Sequence, residues 1–290
     1  MTKKIKKAVL PVAGFGTRFL PATKATPKEM LPIIDKPLVQ YAVEEAINIG
    51  IEEIIFITNP SKFSIKNHFD KSLELEKKLI KSGKLDFVQK LNPPEFNDIK
   101  FTYINQLDQK GLGHAILLAE KYIHNENFAV LLPDDLFFSE KSCLAQLNEV
   151  YAQTNSSVIA VNRIDANNIY KYGVIKPGST YGKAIEVKDI VEKPKYEDAP
   201  SDIAVCGRYL LSSSIFKYLN KTNPDLNDEI QLTDAIKIML NDEPVHACIY
   251  EGEKFDCGSK SGFVEATIEI SLRDPEIKDE IMALIRKKIN

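Results

Sequence analysis

Residues 8–37 read "AVLPVAGFGTRFLPATKATPKEMLPIIDKP" and join a short apolar run to a glycine-rich segment. The run "AVLPVA" has the composition of a buried β-strand, and glycines directly after a strand let backbone N–H groups approach a ligand closely. Because the same segment carries Arg18 and Lys28, it predicts a phosphate-binding turn at the end of the strand. A simple tight turn accounts for the glycines equally well, but it leaves the two cations unexplained.

Strand-like and helical patterns alternate along the first half of the chain. In chain order the runs are "KAVLPVA", "PLVQYAVEEAINIG", "EEIIFIT", "FTYINQ", "GHAILLAEKYI" and "FAVLLP". This alternation predicts an α/β protein with a Rossmann-like, mostly parallel (mixed) central sheet flanked by helices. After Ser156 the runs become short strands broken by Gly and Pro, which indicates antiparallel or mixed pairing in the second half.

The segment 61–96 lies between the second and third strand-like runs and is rich in charge. Its apolar spacing from Ile65 to Ile80 predicts an amphipathic helix, with Glu74 and Lys78 as an i,i+4 pair on the exposed face. A solvated surface helix is the favoured interpretation of such a pattern, and a subunit contact is the alternative.

Helix boundaries are predicted at three further places. Gly50 stands where a helix C-terminal stop is expected, and Asn227 or Asp228 is expected to cap the helix in "NDEIQLTDAIKIML". Asp274 and Pro275 are expected at the first positions of the last helix.

Composition excludes several classes of protein. With 290 residues and 44% hydrophobic content the chain can bury a substantial core, and its net charge of -3 gives no basic excess. A general nucleic-acid-binding surface is therefore not expected, and any positive charge that function needs has to be concentrated locally. A small anionic substrate fits that charge pattern.

Cysteine usage and the N-terminus point to the cytoplasm. Cys143, Cys206, Cys248 and Cys257 are widely spaced without a C-x-x-C pair, so we expect free thiols in a reducing compartment rather than a zinc site or a disulfide framework. The basic start precedes an apolar stretch that is short, contains Pro11 and lacks an A-x-A cleavage site. No uninterrupted apolar segment approaches the ~20 residues of a membrane span.

The glycines match neither of two common nucleotide-binding motifs. Gly14 and Gly16 fit the first two positions of G-x-G-x-x-G, but Phe19 occupies the third position, which disfavours a dinucleotide-binding oxidoreductase. The P-loop pattern fails as well, because no Gly-Lys-Ser/Thr follows at the required spacing.

The extended loop is more specific than its glycines. It continues through "TPKEMLP" and "DKP" and, in this form, resembles the signature loop of the sugar-nucleotide pyrophosphorylases, in particular the bacterial members that transfer a uridylyl group. The resemblance continues through "QLDQKGLGHAILLAE", "LLPDDL", "YGVI", "VEKP", "CGRYLL", "EIQLTDAI" and "FDCGS". It implies a nucleotidyltransferase domain at 1–272, with a nucleotide-binding half at about 1–155 and a sugar-binding half at about 156–262, followed by a C-terminal helix at 273–290.

The implied reaction is formation of UDP-glucose and pyrophosphate from UTP and glucose 1-phosphate. A phosphate oxygen of the sugar attacks the α-phosphorus of UTP in line, so no covalent enzyme intermediate is required and catalysis depends on positioning and charge neutralisation. We therefore expect small-molecule substrates, no nucleic-acid or membrane partner, and a homo-oligomer, either a dimer or a tetramer.

The resemblance assigns the cations and the metal ligands. Arg18 and Lys28 match positions that hold the triphosphate, and Lys193 matches the lysine that holds the sugar phosphate. Asp134 follows a buried strand, the usual place for ligands in an open α/β sheet, and the resemblance implies that it meets the distant Asp256 on one Mg²⁺. One or two carboxylates with substrate phosphates are a typical ligand set for that ion. Asp135 stays unassigned.

The remaining site residues divide between nucleotide and sugar. Backbone N–H groups around Gly14, Gly16 and Thr17 are expected to contact the phosphates, and the resemblance adds Gly111 to the nucleotide site. On the sugar side it implies Glu192 as the acceptor for sugar hydroxyls, with Gly173 and Gly207 where the backbone passes close to the sugar. A β-bulge is an equally good reason for a glycine in a strand.

Uracil presents one N3–H donor between two carbonyl acceptors, so a selective site needs an acceptor flanked by donors. We expect Glu29 to supply the acceptor, and Gln106 and the backbone near Ala13 and Gly14 to supply donors. His114 lies where a helix begins, so capping or packing is its expected role.

Three rival functions remain open. A thymidylyl- or guanylyl-transferase for another sugar 1-phosphate would keep the fold, but the Glu29 assignment disfavours it. A non-catalytic scaffold should have lost one of four residues that are all present, namely Asp134, Asp256, Lys28 and Lys193. A nicotinamide-dependent oxidoreductase is the most distant alternative.

Overall fold

The computed structural model describes residues 4–289. Residues 1–3 and 290, which belong to the predicted first domain and the predicted C-terminal helix, lie outside the described residues. The strands found between residues 4 and 289 are, in chain order, β1 (Lys7–Pro11), β2 (Pro32–Ile33), β3 (Lys36–Pro37), β4 (Glu53–Thr58), β5 (Lys100–Asn105), β6 (Phe128–Leu131), β7 (Asp135–Phe138), β8 (Ser157–Arg163), β9 (Val174–Tyr181), β10 (Ala184–Val191), β11 (Ile203–Leu211), β12 (Val245–Ile249) and β13 (Glu253–Asp256).

The α-helices lie between these strands and at the end of the chain. In the same described range they are α1 (Leu38–Asn48), α2 (Phe63–Phe69), α3 (Leu73–Lys81), α4 (Leu85–Leu91), α5 (Gly111–Leu117), α6 (Glu120–Ile123), α7 (Cys143–Thr154), α8 (Ile215–Leu219), α9 (Leu232–Met239), α10 (Lys260–Arg273) and α11 (Lys278–Ile289).

One large mixed sheet organises the molecule, with strand order β5-β4-β1-β6-β11-β8-β12-β10-β9. Strands β5, β4, β1 and β6 are parallel to one another, as the alternating sequence pattern predicts. In the second half β11 pairs antiparallel with both β6 and β8, β10 is antiparallel to β9 and β12, and β12 is parallel to β8. The predicted fold class, α/β with a mixed central sheet, is confirmed.

Two hydrophobic cores lie on opposite faces of the sheet because side chains alternate along each strand. In β1, Leu10 points into the core beneath α1 and α7, whereas Val9 points into the core beneath α5, α8 and α9. In β4, Phe56 and Ile57 divide between the same two cores. A strand that is buried on both faces reads as an unbroken apolar run, which is how these strands appear in the sequence.

A two-stranded ribbon at the edge of the domain joins residues far apart in the chain. Strand β7 pairs antiparallel with β13, and Asp135 lies opposite Asp256 in the register. The ribbon packs with α1 and α10 in a third apolar cluster around Leu136 and Phe255. The ribbon therefore brings the segments after β6 and after β13 together.

The periodicity of the insert at 61–96 predicted one helix, but the segment forms three helices, α2, α3 and α4. The breaks have local causes, since Asp70 is extended and Gly83 has a φ of +72°. The predicted pair is present, with Lys78 Nζ 2.8 Å from Glu74 Oε1 on an exposed face. The wrong part of the prediction is therefore the continuity of the helix.

Two of the predicted helix starts are also wrong. Helix α9 begins at Leu232, and Asn227 and Asp228 lie in a preceding turn in which Asp225 accepts the backbone N–H groups of Asn227 and Glu229.

Helix α11 begins at Lys278, four residues after Asp274. The Asp274 side chain still accepts the N–H of Glu276, as a capping residue does. The predicted stop at Gly50 is confirmed, since Gly50 follows α1 with a φ of +88°.

All four cysteines are free and buried. Within residues 4–289, no helix combines the length and the apolar character that crossing a membrane requires.

Helix α5 packs so closely against the chain before α9 that one of its positions has no room for a side chain. The N–H of Gly113 donates to the carbonyl of Ile230 at 2.8 Å, and a Cβ at Gly113 would lie 2.7 Å from that same oxygen. Leu219 would be 3.0 Å away on the other side. The glycine is thus required by the backbone approach of two segments.

Substitution Gly113→Ala tests this packing. Alanine is favoured over glycine in a helix by about 1 kcal/mol, but overpacking against a backbone carbonyl typically costs about 1–3 kcal/mol. We expect the free energy of unfolding in urea to fall. Asn67→Ala, at an exposed position of α2, is the matched control and should not lower it. A Gly113→Ala protein as stable as the parent would contradict the close approach.

Candidate active site

The parallel strands deliver the predicted residues to one edge of the sheet. The carboxyl ends of β1, β4, β5 and β6 lie side by side. The segments that leave β1, β5 and β6 contain the predicted residues Ala13, Gln106 and Asp134, and the segment that leaves β4 contains Lys62, which was not predicted. This edge is where open α/β sheets bind ligands.

The glycine-rich loop leaves β1 and lies largely exposed at this edge. Gly16 has a φ of +65°, a left-handed conformation that favours glycine, and its carbonyl accepts the Thr23 hydroxyl at 2.8 Å. Gly14 has no heavy atom within 4 Å of the position of a Cβ, so the backbone there is open on one side. Thr17 opens a short 3-10 helix that also contains Arg18. The loop therefore presents backbone and cation together, as the sequence predicts.

A cleft of about 530 Å³ collects four of the predicted side chains. The lining residues come from the glycine-rich loop, the end of β6, the segment before β9, the turn after β10 and the start of α10; they are Arg18, Leu132, Asp134, Asp135, Tyr170, Lys171, Tyr172, Lys193, Asp256 and Ser259. The cleft thus joins cations and carboxylates from distant parts of the chain.

Asp134 and Asp256 converge on one point of this cleft. Asp134 Oδ2 and Asp256 Oδ1 lie 2.9 and 3.0 Å from the position that a Cβ at Gly258 would take, and Arg18 Nη1 lies 3.6 Å from it. The Arg18 guanidinium also donates to the Gly258 carbonyl at 3.3 Å. Two carboxylate oxygens that share one small space are a suitable donor set for a hard divalent cation.

Lys28 is bound to the first of these carboxylates. Its Nζ lies 2.6 Å from Asp134 Oδ2. Burial lowers the pKa of Lys28, but attraction to Asp134 and Glu29 more than offsets this effect, and the net pKa lies above the ordinary value. For Asp134 burial acts in the opposite direction and raises the pKa, but the attraction of Lys28 is stronger and holds the pKa of Asp134 below its usual range. Both groups are therefore charged at neutral pH.

The neighbouring Asp135 is turned into the protein. Lys254 Nζ lies 2.7 Å from its Oδ1, and the same ammonium lies 5.0 Å from the centroid of the Tyr172 ring. A Cβ at Gly207 would collide with the Asp135 carboxylate, and Gly207 has a φ of +53° at a register shift of β11. The β-bulge that the sequence left open is thus present at Gly207, and a sugar contact there stays a prediction.

Glu192 and Lys193 lie at the other side of the cleft, directly after β10. Lys193 has a φ of +42°, its side chain is half exposed, and its Nζ lies 3.2 Å from Glu192 Oε1. A Cβ at Gly173 would lie 3.2 Å from Glu192 Oε2 and 3.1 Å from the Thr233 hydroxyl. These contacts bring the predicted sugar-side residues Gly173, Glu192 and Lys193 together.

Glu29, the predicted acceptor for uracil, is almost fully buried, and its role in base recognition stays a prediction. Its side chain is 2% exposed and forms a buried ion pair with Lys62, whose Nζ lies 2.9 Å from Glu29 Oε2 and donates to the carbonyl of Val12 at 2.6 Å. Burial raises the pKa of Glu29 and lowers the pKa of Lys62, in each case against the attraction of the partner. The pair joins the end of β1 to the loop, and Glu29 offers little surface to a ligand.

Gln106, a predicted donor to the base, has its amide nitrogen bound within the protein. The residue is 4% exposed, and its Nε2 is 3.3 Å from the carbonyl of Gly111 and 2.9 Å from His114 Nδ1. Because an amide nitrogen carries two hydrogens, both are used in this structure, and the donor role of Gln106 toward a base stays a prediction. Its free atom is the acceptor Oε1.

Gly111 has a φ of +86° and a Cβ there would lie 2.8 Å from the Ile230 carbonyl, so this glycine is also required by close packing.

A buried arginine that the sequence reasoning missed holds the segment between β6 and β7. Arg208 is 1% exposed, and its Nε donates to Glu45 Oε2 at 2.9 Å. Its remaining nitrogens donate to the carbonyls of Leu132, Gly207 and Asp135 at 2.8, 3.1 and 3.0 Å. A lone arginine in the apolar run "CGRYLL" signals a paired buried charge, and that signal was available in the sequence. Lys62 and Lys254 carried no comparable signal.

The sequence is similar to characterised enzymes along nearly its whole length. Residues 7–272 match the family model described as nucleotidyl transferase. The chain is 49% identical over 286 residues to a UTP–glucose-1-phosphate uridylyltransferase of Staphylococcus haemolyticus, with 98% of this chain and 99% of the relative covered.

Solved structures give the same likeness. A UTP-bound UGPase from Acinetobacter baumannii superposes with a TM-score of 0.90 at 38% identity, covering 97% of this chain and 98% of that one. A UDP-glucose pyrophosphorylase complexed with UDP-glucose has a TM-score of 0.84 at 42% identity, covering 93% and 100%.

The Arg208 pair generates a test of stability. Removing one partner of a buried ion pair leaves an uncompensated charge and typically costs about 3–5 kcal/mol, so Arg208→Met should lower the free energy of unfolding by about that amount. Arg163→Met is the matched control, because Arg163 pairs with Asp202 in solvent and exposed pairs contribute about 0–1 kcal/mol. Chemical denaturation measures both, and equal losses would contradict the assignment.

Proposed function

The chain belongs to the nucleotidyl transferase family, and on that premise we propose that it makes UDP-glucose and pyrophosphate from UTP and glucose 1-phosphate. The family resemblance inferred from the signature loop is confirmed. The observation that carries the proposal is the 49% identity to a UTP–glucose-1-phosphate uridylyltransferase over 98% of the chain. Relatives whose structures hold UTP and UDP-glucose agree with the same pair of substrates.

The reaction is an in-line displacement at the α-phosphorus of UTP. A phosphate oxygen of glucose 1-phosphate forms a new bond to that phosphorus while the bond to the β-phosphate oxygen breaks, and pyrophosphate leaves with its charge. No enzyme nucleophile is needed, so the protein contributes alignment and charge neutralisation. The cleft supports this role, because its charged side chains come from both halves of the chain.

We assign the cations to opposite sides of the reacting phosphorus. Arg18 and Lys28, in and beside the glycine-rich loop, neutralise the triphosphate, and backbone N–H groups from Gly14 to Thr17 add donors. Lys193 holds the incoming sugar phosphate. Its half-exposed side chain and its place across the cleft from the loop support that assignment.

Asp134 and Asp256 would hold the metal ion that the family implies. Their oxygens share one small space beside Arg18, and Mg²⁺ prefers such oxygen ligands together with phosphates. When bound there, the ion supplies charge neutralisation at the transferring phosphate. Lys28 would then separate from Asp134, and its ammonium would bind the same phosphates.

We assign the acceptor for uracil N3–H to Gln106 rather than to Glu29. Gln106 has its carbonyl oxygen free, whereas Glu29 has one of its two oxygens, Oε2, held by Lys62. The backbone of Ala13 lies nearby, since Gln109 donates to the Ala13 carbonyl at 3.1 Å, and N–H groups at Ala13 and Gly14 would donate to the uracil oxygens.

On the sugar side Glu192 accepts hydrogen bonds from sugar hydroxyls, and the backbone at Gly173 and Gly207 passes close to the ring. We further propose a homo-oligomer in the cytoplasm as the working state, in keeping with four reduced thiols and a metabolic reaction.

The two lysines can be separated by calorimetry. Lys28→Ala should weaken UTP binding measured without sugar phosphate by about tenfold or more, the effect of about 1.4 kcal/mol of lost charge pairing. Lys193→Ala should leave that binding unchanged and should raise the KM for glucose 1-phosphate. Lys24→Ala and Lys195→Ala, at neighbouring exposed positions, are the matched controls. If Lys193→Ala loses UTP affinity as severely as Lys28→Ala, the two-sided arrangement is refuted.

Replacing either aspartate by asparagine tests the metal assignment. Asp134→Asn and Asp256→Asn should each lower turnover on the order of 100-fold, the scale of losing one electrostatic stabiliser of a transition state, and should raise the Mg²⁺ concentration for half-maximal rate. Asp98→Asn, at an exposed carboxylate just before β5, serves as the control. Turnover and Mg²⁺ dependence that stay at the parent's values would exclude these two ligands.

A further inference from the structure

His114 lies at a contact that the proposed reaction does not use. It is on α5, half buried, and its Nδ1 is 2.9 Å from Gln106 Nε2. Gln106 directly follows β5 at the edge where the nucleotide is expected, and its backbone N–H donates to the carbonyl of Thr58 at 2.8 Å. The backbone of Gln106 is thus fixed, and the remaining freedom is the rotation of its amide.

The neighbours of that amide determine which way it points. The carbonyl of Gly111 lies 3.3 Å from Gln106 Nε2, and a carbonyl oxygen can only accept a hydrogen bond. The nitrogen of the amide must therefore face Gly111. His114 Nδ1 then acts as the acceptor for the second hydrogen, which requires the neutral imidazole with its proton on Nε2.

The protonation state of His114 agrees with this network. Burial lowers the pKa of His114, Lys110 lowers it further, and Asp108 opposes both with a smaller effect. A neutral ring at physiological pH keeps Nδ1 as an acceptor.

With both hydrogens engaged, the amide presents one remaining functional atom. Among the described residues, Gln106 Oε1 makes no hydrogen bond, and it is not one of the buried unpartnered atoms, which are Thr58 Oγ1, Ser64 Oγ and Tyr103 Oη. The oxygen therefore reaches accessible space. An amide that rotated by half a turn would present its nitrogen to that space instead.

This orientation distinguishes two pyrimidines. Uracil has a hydrogen on N3 that an amide oxygen accepts, whereas cytosine has a lone pair on N3 that repels it and would pair with an amide nitrogen. Two hydrogen-bond acceptors that face each other without water cannot bond to each other, and each loses the hydrogen bond that it makes to water.

We propose that His114 is a positioning residue that selects uracil over cytosine by holding the Gln106 amide with its oxygen toward the base. The inference rests on the proposed function, in which Gln106 contacts the base of the nucleotide. His114 itself touches neither the base nor the reacting phosphates.

The measurement is the ratio of kcat/KM for UTP to kcat/KM for CTP, from pyrophosphate release with glucose 1-phosphate. Both values come from the same preparation, so a loss of folded protein cancels in the ratio. His114→Leu removes the acceptor at similar size, and we expect the ratio to fall about tenfold, as for one lost hydrogen bond of about 1.4 kcal/mol. His114→Asn keeps an acceptor on its side chain and should retain most of the ratio.

Two further variants give the controls. His68→Leu removes another histidine that bonds a glutamine amide, since His68 Nε2 lies 2.8 Å from Gln40 Oε1 away from the cleft, and its ratio should equal that of the parent. Gln106→Leu should lower the ratio by itself, and adding His114→Leu to it should cause no further fall, because the histidine acts only through the amide.

The outcomes distinguish a failure of the role proposed for His114 from a failure of the role proposed for Gln106. If Gln106→Leu keeps the parent ratio, the base assignment fails and the inference fails with it. If Gln106→Leu lowers the ratio but His114→Leu does not, Gln106 remains the reader and the role of His114 is refuted. A further fall in the double variant, or a fall in His68→Leu, would also refute it.

Discussion

The ion pair between Arg208 and Glu45 fixes the part of the molecule on which the cleft depends. Arg208 projects from β11 and Glu45 from α1, and they are 163 positions apart in the chain. The guanidinium also binds the carbonyls of Leu132 and Asp135, which flank Asp134. The irregular backbone after β6 thus has its carbonyls satisfied by a rigid cation, and the Asp134 carboxylate is held at one place. Two of the carbonyls that bind Arg208 also accept a backbone N–H, since the Leu132 carbonyl accepts from Asp135 at 3.2 Å and the Gly207 carbonyl accepts from Leu132 at 2.9 Å.

The burial of this charge is tolerated because every polar side-chain atom of the pair has a hydrogen-bond partner. Glu45 accepts the N–H of Leu144 with its second oxygen, and the guanidinium lies 4.4 Å from the centroid of the Phe137 ring. The pair therefore connects α1, α7, β6, β7 and β11 through directional bonds. Such a network specifies one arrangement of the elements more strongly than apolar contacts do, since apolar contacts tolerate sliding.

The sequence predicted the parts of this structure that local pattern determines. Unbroken apolar runs identified the strands, and the strand ends located Asp134 because topology alone brings them to one edge. The positions of Arg18, Lys193 and Asp256 followed from the family resemblance, and they line the same cleft. Pairings such as Glu29 with Lys62 could not be predicted, because they depend on where two remote segments meet. The prediction of one helix for the insert is wrong for a different reason, since its apolar periodicity continues across local breaks of the backbone at Asp70 and Gly83.

The same limit applies to the side chain that is expected to read the base. A sequence shows that Glu29 is an acceptor and that Gln106 has both a donor and an acceptor, but it does not show which of these atoms are already occupied. Lys62 occupies Oε2 of the Glu29 carboxylate, and Gly111 with His114 occupies the amide nitrogen of Gln106. The same principle governs the charges of the cleft. Lys28 is held by Asp134 and Lys193 lies beside Glu192, so these two lysines have carboxylate partners before any substrate arrives. In the proposed function, an exchange of Asp134 for a phosphate would leave the Lys28 ammonium paired with an anion and would free the Asp134 carboxylate. A carboxylate freed in this way needs a new positive partner, which is the role that the proposed metal site assigns to the cation.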